Sequence, residues 1–279
     1  MWFSKIILGD KFMKNTYLYD NVELETLELD NDKNKTIFII HGFTADFDNL
    51  SVITEHFKKD FNVYSINLPA HGKSKTNENL NDIYAYCDVV VDFIKNKKLK
   101  NIYLVGHSMG GLIAALIYQR IKDQIDKVLL IAPANLTTLE IGEKLKYAFF
   151  KGTLLSKITF VRYSYHNWFK ALRDKNFRAN SAKWYEEHKQ YMNDYYKVGH
   201  QFMEEDILKD EEEMIRNIDK PLGLLCGKSD NIVNQKKIWD YFKKIKPETK
   251  MYKINACGHN PWRENKEEVL QAIEGFFNE

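Results

Sequence analysis

Between residues 16 and 30, Tyr17, Tyr19, Val22, Leu24, Leu27 and Leu29 are interleaved with polar residues, and this period of two predicts an antiparallel hairpin exposed on one side. The pattern then changes. Thr36-Ile37-Phe38-Ile39-Ile40 is a continuous run ending at His41-Gly42, as expected of a strand buried on both faces of a parallel sheet. Similar reasoning predicts a helix over 49–59, a strand over 61–68, a helix over 82–97, a strand over 102–105, a helix over 110–121 and a strand over 127–132. After Pro133 the alternation stops, and residues 136–215 carry helical periodicity and dense aromatics with no convincing buried strand. It resumes with a strand at 222–226, a helix at 234–245, a strand at 250–254 and a final helix at 265–277. Strands alternating with helices predict an α/β fold with a mostly parallel sheet, right-handed crossovers and helices on both faces. The expected organisation is one core, residues 1–135 and 216–279, interrupted by an inserted helical cap, residues 136–215.

Composition narrows the function classes. The 279 residues, 44% hydrophobic and 29% charged, suit one large soluble domain. With 41 basic against 39 acidic residues the net charge is +2, which offers no electrostatic footprint for nucleic acid. The three cysteines, Cys87, Cys226 and Cys257, are odd in number and lack metal-ligand spacing, which fits a reducing cytoplasm. The opening apolar run is too short for a secretory leader, and no segment approaches the roughly 20 apolar residues of a membrane span. The expectation is a cytoplasmic protein without stable membrane insertion.

The chemistry concentrates at Gly106-His107-Ser108-Met109-Gly110. This segment joins the 102–105 strand directly to the next helix, and a strand-to-helix turn that sharp needs glycine at its flanks and holds its central serine exposed and strained. The helix N-terminus presents backbone N–H groups, that of Met109 among them, to a developing oxyanion. Ser108 is therefore the candidate nucleophile.

These residues resemble the nucleophile elbow of an α/β-hydrolase of the lipase/esterase type with a helical cap, and Gly106 to Gly111 resembles the G-H-S-M-G-G of monoacylglycerol lipases and related esterases. His41-Gly42-Phe43 resembles the family's oxyanion loop, which implies the Phe43 amide as the second donor. Leu68-Pro69-Ala70-His71-Gly72-Lys73-Ser74 is similar to a family loop that usually reads D-L-P-G-H-G-x-S, with Asn67 and Ala70 in place of the usual Asp and Gly. The family order of serine, acid and histidine is a test. Asp230 follows the 222–226 strand, where the family's acid resides, and His259 follows the strand at 250–254, so Ser108, Asp230 and His259 pass. Asp219 is the weaker candidate acid. The place after the sixth strand, where some relatives carry theirs, reads Ala134-Asn135 and cannot ionise. Seven other histidines compete with His259, and only His259 comes last, after the acid and on a loop. For His41 the expected role is fixing the oxyanion loop by hydrogen bonding.

The resemblance implies a serine esterase or lipase needing no metal or organic cofactor. Its partner would be a small-molecule ester, lipid-derived ones included, with an apolar or medium-chain acyl group suggested by the aromatic insertion. Two alternatives stand beside it. One is an aminopeptidase similar to proline iminopeptidases, with Glu204 and Glu205 receiving the substrate amine. The other is a hydrolase fold retained as a non-catalytic binding protein.

Overall fold

The structure, a computed structural model, describes residues 11–279; residues 1–10, read above for a leader, lie outside the described residues. Its strands are β1 (Met13–Tyr19), β2 (Val22–Leu29), β3 (Thr36–Ile40), β4 (Asn62–Ile66), β5 (Ile102–His107), β6 (Ile125–Ile131), β7 (Leu222–Gly227) and β8 (Lys250–Ile254). They form one sheet in the order β1-β2-β4-β3-β5-β6-β7-β8. The β1–β2 and β2–β4 pairs are antiparallel, and from β4 onward the neighbours are parallel. Helices α1 (Ser51–Phe57), α2 (Ile83–Asn96) and α3 (Met109–Ile121) connect the early strands. Between β6 and β7 lie α4 (Gly142–Phe150), α5 (Leu154–Ser164), α6 (Trp168–Arg173), α7 (Lys175–His188), α8 (Met192–Gln201) and α9 (Glu205–Arg216). The chain closes with α10 (Gln235–Ile245), a one-turn α11 (Pro261–Glu264) and α12 (Lys266–Asn278).

The continuous apolar runs have a direct explanation in this layering. Successive side chains of a strand point to opposite faces, and both faces of the central strands are covered. Phe38 and Ile40 of β3 join a core with Leu104, Leu130 and Leu224 under α2, α3 and α10. Ile37 and Ile39 join the opposite core with Val105 and Leu225 under α1 and α12. Each such fully buried side chain contributes roughly 1.5–3 kcal/mol relative to exposure, so a polar residue in place of Ile37, Phe38, Ile39 or Ile40 would cost stability.

Two features depart from the pattern read from the chain. The hairpin forms, closed by Asp20-Asn21 with φ of 47° and 60°, the left-handed pair that a tight two-residue hairpin turn requires. Its second strand, however, is buried along most of its length, because the Thr26–Leu29 end of β2 also pairs with β4. Alternation survives there only because Glu28 finds partners, accepting from Thr26 Oγ1 at 2.8 Å and pairing with Lys97 Nζ at 2.6 Å. The second feature is α9. Ile207, Leu208 and Ile215 belong to the same core as Leu112 and Ile113 of α3, so this helix, the last before β7, is packed on the sheet's own helix layer.

Helix α9 also carries a buried carboxyl. Neither oxygen of Glu211 has a hydrogen-bond partner among the described residues, and desolvation, with a smaller contribution from Glu212, raises its pKa well above the ordinary 4.5. The folded protein therefore keeps this proton over a pH range in which the unfolded chain has lost it, and stability falls as pH rises from the ordinary carboxyl pKa toward the folded one. Glu211→Met removes that penalty without leaving a buried polar group. The expected result is a gain of about 1–3 kcal/mol in unfolding free energy at neutral pH, with a flatter decline of Tm between acid and neutral pH in thermal melts. A lower Tm at neutral pH would show that Glu211 is paired in solution.

Candidate active site

The turn after β5 is set by crowding. A Cβ on Gly106 would lie 2.3 Å from the Gly110 carbonyl oxygen, and one on Gly110 would lie 2.3 Å from that of Ile40 and 2.5 Å from that of His41. Real Cβ atoms do not approach backbone so closely, so glycine is the residue that fits. Between them Ser108 adopts φ 56°, ψ −119°, a strained conformation for a residue with a Cβ. It is held there by its N–H donating to Ile131 O at 2.9 Å and by its carbonyl accepting from Gly111 and Ala134 N–H at 2.9 and 3.2 Å. Ser108 stands at the N-cap of α3.

There it meets His259. Ser108 Oγ lies 2.9 Å from His259 Nε2, and His259 Nδ1 lies 2.8 Å from Asp230 Oδ2. All three side chains are buried. Asp230 combines the two roles its position allows: Oδ1 accepts from the Ile232 and Val233 N–H groups at 2.8 and 3.3 Å, shaping the turn that follows β7, while Oδ2 faces the imidazole. An acceptor oxygen beside Nδ1 favours the tautomer that carries its proton there and leaves Nε2 facing the serine hydroxyl. Asp219 is not brought to this group; its carboxylate accepts from the Tyr118 hydroxyl.

The remaining histidines are occupied elsewhere. His41 is fully buried, its Nδ1–H donating to Gly42 O at 2.9 Å and its Nε2 accepting from Leu68 N–H at 3.0 Å. Desolvation, opposed by the Gly42 hydrogen bond, pushes its pKa down to about 4, so it is a neutral brace between the 41–44 loop and the loop after β4. His71 donates to Pro69 O. His56 pairs with Glu274, His166 with Ser229, and His188 lies against Trp184 O and Gly72 O, while His200 stacks on Phe150. His107 donates from Nε2 to the carbonyl of His259 at 2.9 Å; burial, reinforced by the neighbouring His259, pushes its pKa well down. That bond ties the serine turn to the histidine loop. A side-chain bond to a backbone carbonyl leaves no residue-type pattern in the chain, and nothing in the sequence announces it.

Two residues flank the serine turn. Met109 is the first residue of α3, so its N–H has no acceptor within the helix. Phe43 follows Gly42, whose Cα is so close to the turn that a Cβ would come within 3.1 Å of Ser108 Cβ. The Phe43 ring is surrounded by aromatics from the segment between β6 and β7, with ring centroids at 5.7 Å for Phe149, 6.2 Å for Phe150, 5.7 Å for Tyr195 and 5.1 Å for Phe202. The loop that departs from its family pattern is intact in this setting. Ala70 takes φ 66°, the left-handed conformation that makes glycine usual there, and Asn67 accepts from Phe47 N–H while donating to Glu25. Glu204 and Glu205 are exposed, and Glu205 pairs with Lys209 at 2.7 Å, which gives no support to a buried amine site.

A strained serine between the fifth strand and the third helix of an eight-stranded, mostly parallel sheet defines the class, and the family's sequence profile agrees: the chain belongs to the α/β hydrolase fold family, matched over residues 35–265. Among curated relatives, the protein named "Putative esterase/lipase 2" in Mycoplasma genitalium is 31% identical over 233 residues, covering 82% of this chain and 84% of that one. Its namesake in Mycoplasma pneumoniae is 28% identical over 240 residues, with the same shares covered. Among solved structures, a thermophilic esterase superposes with a TM-score of 0.72 at 21% identity, covering 96% of this chain and 98% of the other.

Proposed function

We propose that the protein is a serine carboxylester hydrolase in which Ser108, His259 and Asp230 act as a triad. The observation that carries this reading is the unbroken line from Ser108 Oγ through the His259 ring to Asp230 Oδ2, at 2.9 and 2.8 Å, in an otherwise buried setting. The Ser108 hydroxyl proton moves to His259 Nε2 as Oγ attacks the ester carbonyl carbon, and Asp230 stabilises the imidazolium that forms. The Phe43 and Met109 amides receive the oxyanion, each worth roughly 3 kcal/mol of barrier. As the tetrahedral intermediate collapses, His259 returns the proton to the leaving alcohol. Water, deprotonated by the same imidazole, then releases the acid from the acyl-enzyme.

Residues 136–215 serve in this reading as the cap, and the aromatic ring cluster around Phe43 supports an apolar acyl group held beside the oxyanion site. The substrate class is then a small ester with an apolar or medium-length acyl chain, lipid-derived esters included. Among the described residues no helix is long and apolar enough to cross a membrane. Buried free thiols at Cys87, Cys226 and Cys257, each raised in pKa chiefly by desolvation, support a reducing, cytoplasmic setting. The test is a fluorophosphonate probe followed by peptide mapping, together with short, medium and long acyl p-nitrophenyl esters. A single adduct on Ser108 and fastest turnover of medium chains are expected; a folded protein that neither labels nor cleaves any ester would sink the proposal.

A further inference from the structure

Asp230 and His259 sit on separate loops, after β7 and β8, and their alignment depends on what holds those loops together. The insertion supplies much of it. At the end of α5 the carbonyl of Tyr163 accepts from Asn231 N–H at 3.1 Å and that of Ser164 accepts from His259 N–H at 2.8 Å. The contact is tight enough that a Cβ on Gly258 would fall 2.2 Å from Ser164 O. Beyond α5, His166 Nδ1 lies 2.7 Å from Ser229 Oγ. Residues 163–166 therefore touch the neighbours of the acid and the backbone of the base at once.

A single side chain closes this arrangement. Glu264, at the end of α11 and five residues past His259, accepts at Oε2 from Gly258 N–H (2.9 Å) and His166 N–H (3.1 Å), and at Oε1 from Asn167 N–H (3.0 Å). One amide belongs to the histidine loop and two to the insertion. Amides that donate to a carboxylate make hydrogen bonds about twice as strong as neutral ones, and three on one partly buried group fix its orientation. The proposed esterase mechanism makes no use of Glu264.

We propose that Glu264 is a positioning residue: it clamps insertion residues 166 and 167 to the loop that carries His259, and through Ser164 O and Gly258 N–H sets the imidazole between Ser108 and Asp230. The effect on rate rests on the esterase reading, whereas the effect on the His259–Asp230 pair does not. Without the carboxylate the His259 backbone keeps its bonds to Ser164 and His107 but loses the brace on Gly258, the residue immediately before it. Misplacement on the order of 1 Å can cost about 100-fold in rate.

The experiment compares wild type with Glu264→Gln and Glu264→Ala. The readouts are kcat and KM on the best ester, the thermal midpoint, and the strongly deshielded proton shared by His259 Nδ1 and Asp230 in the proton NMR spectrum. Glutamine keeps one acceptor oxygen and turns its NH2 toward a donor, so its effect should be intermediate. Expected is a graded fall in kcat, about 10-fold for glutamine and about 100-fold for alanine, at unchanged KM, with the deshielded proton exchange-broadened in the same order. Should the alanine variant not fold, the glutamine variant carries the test. A normal kcat and a normal proton signal in a folded variant overturn the role of Glu264. A wild-type protein that shows the proton but cleaves no ester overturns the esterase reading instead, and loss of that proton in the variants then still supports the clamp.

Discussion

Ser108→Ala and His259→Ala should each lower kcat by about a million-fold, and the double variant should lower it no further. The serine hydroxyl is a weak nucleophile until its proton is taken, and His259 Nε2, 2.9 Å away, is the base placed to take it. In the proposed triad neither group accelerates attack without the other, so the second deletion should remove nothing that the first has left. The residual rate expected, on the order of a thousandfold over water, would come from substrate binding and from the proposed Met109 and Phe43 amides. Alanine at 108 keeps both the Cβ and the strained φ of 56°, so Tm should change little. Single-turnover assays on protein free of wild-type contamination provide the check. Losses that multiplied in the double variant would mean that another group deprotonates Ser108.

The elements that place this site are also those most legible in the sequence, and for a physical reason. Strands β3 and β5 are buried on both faces, so Ile37 to Ile40 and Ile102 to Val105 read as nearly continuous apolar runs, and their ends coincide with His41-Gly42 and Gly106–Gly110. The order of Ser108, Asp230 and His259 follows from their places at strand ends. Less of the lateral structure could be read. The burial of β2 comes from pairing with β4, a contact between residues 34 to 40 positions apart, and a half-buried and a buried strand share the same alternation when polar side chains such as Glu28 are paired. Helix α9 has an ordinary amphipathic pattern, and its packing on α3 is decided by topology rather than by its own residues. The ties from Tyr163 and Ser164 to the acid and histidine loops run through backbone carbonyls, which any residue would supply. Helical periodicity and aromatic density mark residues 136–215 in the chain, and the contact of Ser164 with His259 shows only in three dimensions.

Asp230→Asn should lower kcat by about 10,000-fold while leaving the fold and KM nearly unchanged, and the reason lies in the two oxygens of Asp230. Oδ1 accepts from two backbone amides, Ile232 and Val233, and an asparagine can satisfy those donors only with its single oxygen in the same place. The turn after β7 thus fixes the amide's orientation and leaves NH2 where Oδ2 faced His259 Nδ1 at 2.8 Å. A donor there requires a bare Nδ1. His259 must then carry its proton on Nε2, where it donates to Ser108 Oγ and cannot receive the hydroxyl proton. The substitution preserves size, burial and the backbone bonds of the turn, so the loss is one of tautomer and of imidazolium stabilisation, not of stability. Nitrogen-15 NMR of the His259 ring should show the proton on Nδ1 in wild type and on Nε2 in the variant, with Tm shifted by a few degrees at most. A variant retaining a tenth or more of wild-type kcat, or one whose ring proton stays on Nδ1, would mean that Asp230 serves the turn and not the histidine.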